Sequence, residues 1–266
     1  MGKHMRKNMK SLMKTTALAI ALVGFAVAAS GSALASAGAP PPPAQKWSFS
    51  GMFGTFDRGS AQRGLQVYRE VCASCHSLRL IHYRHLSGLG YTEDQIEAMA
   101  AENEEVKDGP NLEGEMFERV GIPADKFPSP FPNALAAAAA HGSAPPDLSL
   151  MVKARKGGAD YLYGILTGYM DPPSDFEMAE DGNYNKYFPG HVIAMAPPLS
   201  DDAVEYQDGT KATMAQMSHD VTTFLAWAAE PELEARKSMG IKVLLFLIIF
   251  TGLLYRVKKK VWEDVH

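Results

Sequence analysis

Apolar residues recur at helical spacing through most of the middle of the chain. Over residues 57–71, Ala61, Leu65, Val67, Tyr68 and Val71 gather on one side while Arg63, Gln66 and Arg69 face away, which predicts an amphipathic helix. Residues 92–106 predict a polar helix opened by a capping box, with Thr92 as N-cap and Gln95 three residues on. A short Ala-rich helix is expected over residues 133–140. Residues 151–170 read as two helical pieces broken at Gly157-Gly158, with Asp147 or Ser149 as the candidate cap. The second piece directs Leu162, Ile165 and Leu166 inward. Residues 213–229 carry a stripe of Met217, Val221, Phe224, Leu225 and Ala228. The fold class is therefore mostly α, and the Pro- and Gly-punctuated stretches 109–143 and 171–190 are its long loops.

The two ends follow a different pattern. Residues 239–257 form an apolar span about 28 Å long as a helix, close to the roughly 30 Å of a bilayer's hydrocarbon core. Lys242 stands at one end, and Arg256, Lys258, Lys259, Lys260 and Trp262 mark the other as cytoplasmic. At the start, Lys3, Arg6, Lys7, Lys10 and Lys14 precede an apolar run and then Ala33-Leu34-Ala35, the signature of a cleaved secretory signal. The expected organisation is a signal peptide at 1–35, a periplasmic domain at 36–235, a transmembrane anchor at 236–258 and a cytoplasmic tail at 259–266. Residues 38–43, Gly-Ala-Pro-Pro-Pro-Pro, read as a stiff spacer without packing potential, with folded structure starting at Trp47.

Charge sharpens this division. The net charge of -4 hides 28 acidic against 14 basic residues between Ser36 and Ala235, a balance of -14, while the two ends hold the remaining 12 cations and only 2 acids. An acidic surface attracts a basic partner and speeds encounter. The carboxylate-rich stretches 102–108 and 175–181 are the expected docking surfaces.

The candidate chemistry lies at Cys72-Ala73-Ser74-Cys75-His76. This is the attachment pattern of a c-type haem: two thiols bond to the porphyrin while the next imidazole ligates iron. A zinc site would want a second pair of thiols, and the chain has only two cysteines. A redox dithiol would want a βαβ setting, and none is apparent in the pattern. The expected cofactor is thus one haem c, covalently attached. The second axial ligand decides between electron transfer and small-molecule chemistry. Met195 is the candidate, in a segment stiffened by Pro197 and Pro198 ahead of the last amphipathic helix, with His191 as competitor. His82 and His85 read as locally bonded, and Arg155 as a natural partner for a haem propionate. A haem enzyme with an open iron and a free-standing tethered electron shuttle stay open as rival readings.

Beyond these single residues, an ordered set of stretches resembles the cytochrome c1 family. They are VCASCH at 71–76, DGPNLEGEMF at 108–117, PPDLS at 145–149, ARKGGADY at 154–161, LTGY at 166–169 and YFPGHVIAMAPPL at 187–199, followed by residues 213–231 and the terminal span. The resemblance implies a cytochrome c-like haem domain on one membrane anchor, in a complex with cytochrome b and the Rieske iron-sulfur protein in the bacterial inner membrane. It implies that electrons arrive from the Rieske protein and leave to a basic soluble or tethered cytochrome c. By position in the matching motifs, His76 and Met195 are the implied iron ligands and Arg155 the residue near a propionate. Pro145, Pro146, Tyr161, Leu166, Phe188, Ile193 and Pro198 are the implied pocket lining. His191 departs from the Gln that members tend to carry, and with no third Cys the extra disulfide of some bacterial members cannot form.

Overall fold

The computed structural model describes residues 38–178 and 182–265. The expected signal peptide and the tail of the second acidic stretch, Ala179 to Asp181, lie outside the described residues.

Helix α1 (Arg58–Glu70) begins where the Asp57 carboxylate accepts the Ser60 N–H at 3.0 Å, an N-cap that satisfies one of the helix's orphan donors. It packs chiefly on α6 (Met214–Ala229), which is capped in the same way by Thr213. The two helices cross in backbone contact. A Cβ on Gly64 would stand 2.0 Å from the Asp220 carbonyl oxygen, so only glycine permits this approach. Around the crossing, Leu65, Val67, Tyr68, Met217, Val221, Phe224 and Trp227 are almost fully buried. These seven side chains centre the core.

Arg63 does not face away. Its Nε donates to Asp220 Oδ2 at 2.8 Å and its Nη1 to Asp208 at 2.8 Å, while Asp220, fully buried, also accepts from Ser60 Oγ at 2.6 Å. A carboxylate taken out of water needs a cation and further donors beside it, and the helix turns its arginine inward to supply them.

Helix α2 (Glu93–Ala101) carries the expected Thr92–Gln95 capping box but stops five residues short of the expected end. Glu102, Glu104 and Glu105 would crowd the negative end of the helix dipole, and the chain leaves the helix there instead. It continues as β1 (Val106–Asp108), where the helix was expected to end, paired antiparallel with β2 (Phe117–Arg119), where loop was expected. Arg119 ties this hairpin together by pairing with both Asp108 and Asp125.

Helix α3 (Ala134–His141) starts at Asn133, whose side chain accepts the Ala136 N–H, and ends at Gly142 in the left-handed region. Then come α4 (Met151–Ala154) and α5 (Gly158–Thr167), separated by the expected glycine break. Leu150 precedes α4 with no side-chain cap, so neither Asp147 nor Ser149 caps it; both are committed elsewhere. Strands β3 (Asn183–Tyr184) and β4 (Val192–Ile193) form a second small hairpin. The proline segment is not a bare spacer: Pro42 packs against Gly164 of α5, whose missing side chain makes room for it. Asp160 holds the adjoining stretch by accepting the Gln45 N–H at 2.9 Å and the Trp47 indole N–H at 2.7 Å.

Helix α7 (Leu233–Val261) leaves the domain as one rod of 29 residues, about 43 Å long. Its apolar part has a mean hydropathy of 2.0 and none of it is buried against the rest of the chain, so it is long and apolar enough to cross a membrane. Only its first turns are engaged: Leu233 is buried, and Glu234 pairs with Arg58 at 2.8 Å.

Candidate functional site

The end of α1 delivers the Cys-x-x-Cys-His sequence as a tight 3-10 turn, Cys72–Ser74, in which the Cys75 and His76 N–H groups both donate to the Cys72 carbonyl, at 3.1 and 2.8 Å. This puts both thiols and the imidazole on one short turn. Both cysteines are free thiols, half-buried. Burial pushes the Cys72 thiol up to about 12, with Cys75 adding to the effect. A redox-active dithiol wants the opposite, a depressed pKa and a ready thiolate.

His76 is held on two sides. The Tyr68 hydroxyl donates to its carbonyl at 3.2 Å, and its Nδ1 lies 2.7 Å from the Pro146 carbonyl oxygen. A carbonyl can only accept, so Nδ1 carries the proton and Nε2 keeps its lone pair. Burial pushes the imidazole below its ordinary value, outweighing the Pro146 contact, and the ring is neutral at pH 7. A metal ligand must be in this state.

The Pro146 carbonyl is in turn positioned by Asp147. One carboxylate oxygen accepts Ser77 Oγ–H at 2.8 Å and the Arg79 N–H at 2.9 Å; the other accepts the Ser149 N–H at 3.0 Å. The Leu148 N–H to Ser77 oxygen bond at 2.9 Å and the Leu80 N–H to Ser149 Oγ bond at 3.1 Å complete a clasp between segments 70 residues apart. Burial raises the Asp147 pKa, but the bonds from Arg79, Ser149 and Ser77 outweigh it and hold the carboxyl below its usual range. Sequence reasoning saw a helix cap at Asp147 and missed this role. Its only signal is the Pro-Pro-Asp-x-Ser pattern of a side chain bonding two residues ahead.

Met195 lies on the segment after β4, half-buried, its carbonyl accepting the Tyr169 hydroxyl at 2.9 Å. Burial pushes the Tyr169 hydroxyl pKa above its ordinary value, so it stays a donor. Asn185, fully buried, organises the turn before Met195. Its Nδ2 donates to the Ile165 carbonyl at 2.7 Å, its Oδ1 accepts the Tyr187 N–H, and its own N–H donates to His191 O at 2.8 Å. The sequence reading missed Tyr169 and Asn185. His191 takes a left-handed φ of 64° and stacks on Tyr184, with its Nδ1 3.3 Å from the Asn185 carbonyl. These contacts tie the His191 ring to the turn.

Among the other expected site residues, Arg155 is exposed and borders the Tyr161 hydroxyl, an open rather than an apolar setting. Pro145, Tyr161, Leu166, Phe188 and Pro198 are half-buried, Pro146 is exposed, and Ile193 is buried on β4. His82 and His85 are bonded locally, His82 Nδ1 to the Ala124 carbonyl and His85 Nδ1 as acceptor of the His82 N–H. The donor set of two thiols, a neutral imidazole and a half-buried thioether fits a c-type haem.

A helical domain closed by its first and last amphipathic helices, with this turn between them and one long apolar helix after them, has the architecture of a c-type cytochrome on a single anchor-length helix. Residues 47–265 match the model of the Cytochrome C1 family. The chain belongs to that family. It is 49% identical to a cytochrome c1 of Rhodospirillum rubrum over 93% of this chain and 97% of that one. It is 51% identical to a cytochrome b/c1 of Bradyrhizobium diazoefficiens over 93% of this chain, but spans only 40% of that protein's length. A cytochrome b-c1 complex catalytic subunit of Candida albicans is 51% identical over 84% of this chain and 78% of its own.

Proposed function

We propose that this chain holds one haem c through thioether bonds to Cys72 and Cys75, with His76 and Met195 as axial ligands. It acts as the electron-transfer subunit of a ubiquinol–cytochrome c reductase complex, receiving an electron from the Rieske iron-sulfur protein and passing it to a basic soluble or tethered cytochrome c. The observation that carries this reading is the His76 ring, with Nδ1 held 2.7 Å from the Pro146 carbonyl oxygen, on the same turn as two free thiols. When bound, the haem supplies a one-electron ferric/ferrous couple.

The chain's own residues set the conditions for that couple. Pro146 and the Asp147 clasp orient His76, and the Met195 thioether favours the reduced state and raises the potential. Arg155, beside Tyr161, supplies a guanidinium for a propionate. Pro145, Pro146, Tyr161, Leu166, Phe188, Ile193 and Pro198 limit water access to the ring. The complex is supported by the name of the Candida relative, and cytochrome b as a neighbour by that of the Bradyrhizobium protein. The apolar α7 with its basic end supports an anchor at 236–258 in the bacterial inner membrane, with domain 36–235 in the periplasm, tail 259–266 in the cytoplasm and a signal peptide at 1–35 removed. Within the first acidic stretch Arg69 pairs with Glu102 and Arg119 with Asp108, which leaves Glu104 and Glu105 exposed and available for a basic carrier.

Haem staining of denaturing gels tests the assignment. The full-length chain should stain and the Cys72→Ala/Cys75→Ala variant should not, and a Met-to-iron charge-transfer band should vanish in Met195→Leu. An unstained wild-type polypeptide overturns the reading. Reduction of a basic cytochrome c should slow as ionic strength rises.

A further inference from the structure

Where α7 leaves the domain, residues 48–55 form a closed loop whose stem is packed and whose tip is bare. The Thr55 N–H donates to the Ser48 carbonyl at 3.1 Å and the Ser50 N–H to that of Trp47 at 3.1 Å. The loop doubles back so tightly that a Cβ on Gly54 would lie 2.0 Å from the Ser50 carbonyl oxygen. In the stem, the Phe49 ring packs on Trp47 and Phe56, with centroids 5.5 and 5.1 Å away. At the tip, Met52 and Phe53 are 60% and 80% exposed.

The first turns of α7 fix this loop. Lys237 Nζ donates to the Phe49 carbonyl at 2.6 Å and to that of Gly54 at 2.9 Å, while Glu234 Oε1 accepts the Phe56 N–H at 2.7 Å. Lys237 is two residues, about 3 Å along the axis, before Met239, where the apolar run begins. A lysine bound at both feet of a rigid loop therefore sets two bare apolar side chains beside the start of a helix of membrane-spanning length.

We propose that the tip of this loop is a second membrane contact, with Met52 and Phe53 seated among phospholipid headgroups and upper acyl chains next to α7. Apolar side chains held at the mouth of a spanning helix are removed from water by the interfacial layer without ordering any new segment, since the loop is already closed. The bilayer is favoured as occupant over a protein because the loop that carries the bare residues is fastened by Lys237, two residues before the apolar run of α7 begins. The inference rests on α7 being a membrane span, and its test separates the two.

Nitroxide labels are placed one at a time at Met52→Cys, Phe53→Cys, Ile248→Cys on α7 and Glu97→Cys on the exposed face of α2. The full-length haem-loaded chain, with the subunits that copurify, is reconstituted in phosphatidylcholine/phosphatidylglycerol nanodiscs, and the unlabelled-site background is taken from the unsubstituted chain. Collision with oxygen, which concentrates in lipid, is compared with collision with a water-soluble nickel chelate. Labels at 52 and 53 should show an oxygen-to-nickel ratio several-fold above that at 97 and below that at 248. A ratio at 52 and 53 equal to that at 97, with 248 still oxygen-favoured, overturns the loop contact and leaves the span standing. Labels at 52 and 53 shielded from both reagents mean that a protein subunit covers the tip, which also overturns it. A nickel-accessible label at 248 removes the span and the loop contact together.

Discussion

The two sides of the candidate iron site are built in opposite ways. His76 sits on a turn closed by its own backbone, reached by the Tyr68 hydroxyl, and faced by a carbonyl that Asp147 pins with bonds to three partners. Met195 hangs beyond a hairpin of two residues per strand, and one hydroxyl, that of Tyr169, reaches its carbonyl. The first side is polar, redundant and anchored in the helix crossing. The second depends on a turn with two consecutive left-handed residues, Gly190 and His191, and on one buried amide at Asn185. A ligand that must keep one tautomer needs orientation, which hydrogen bonds provide; a thioether needs only to be near, and packing with one tether suffices.

The largest expected effect comes from replacing the proposed second ligand itself. Met195→Leu should lower the reduction potential by roughly 0.3 V, read by redox titration, because axial-ligand identity is the main lever on a haem potential. An unchanged potential would remove Met195 from the metal. Next is Asp147→Ala, which leaves the Ser77, Arg79 and Ser149 donors unpaired. It should cost about 2–3 kcal/mol in denaturant unfolding and loosen His76 while leaving the Met195 loop in place. Acid should separate the two sides more gently. The Asp147 carboxyl sits below its unfolded value, so its stabilisation is present above the ordinary Asp range near 4 and is lost as pH falls through the depressed value. Protection of the Leu148 and Leu80 amides against hydrogen exchange, relative to the intrinsic rate at each pH, should therefore fall on acidification before that of the Asn185 amide does. Tyr169→Phe should have the smallest effect, about 1 kcal/mol, seen as easier displacement of Met195 by added imidazole.

What the chain's pattern reveals, and what it hides, follows the same division. Helices α1, α2, α3, α5 and α6 announce themselves through apolar spacing and capping side chains, and the haem turn through five consecutive residues, because these are local relations. The inward turn of Arg63 is not local, since it answers Asp220 on a helix more than 150 positions later. The Asp147 clasp and the Pro42–Gly164 contact are hidden for the same reason: each side chain has a plausible nearby role, a cap or a spacer, and tertiary partners outbid it. The β1–β2 hairpin escapes because its three-residue strands, half exposed, carry no clean alternation, and the Arg119 pairs that hold it are spread over residues 108 to 125.

Arg58 opens the first helix and Glu234 lies in the opening turn of the last, and their pairing bolts the shaft of α7 to the floor of the domain. Lys237 is a further fastener, so the domain and the start of α7 are joined by side-chain bonds as well as by the chain itself. On the proposed reading, a redox centre mounted this way would keep one height and one bearing relative to the start of α7, and its donor and acceptor would have to come to it.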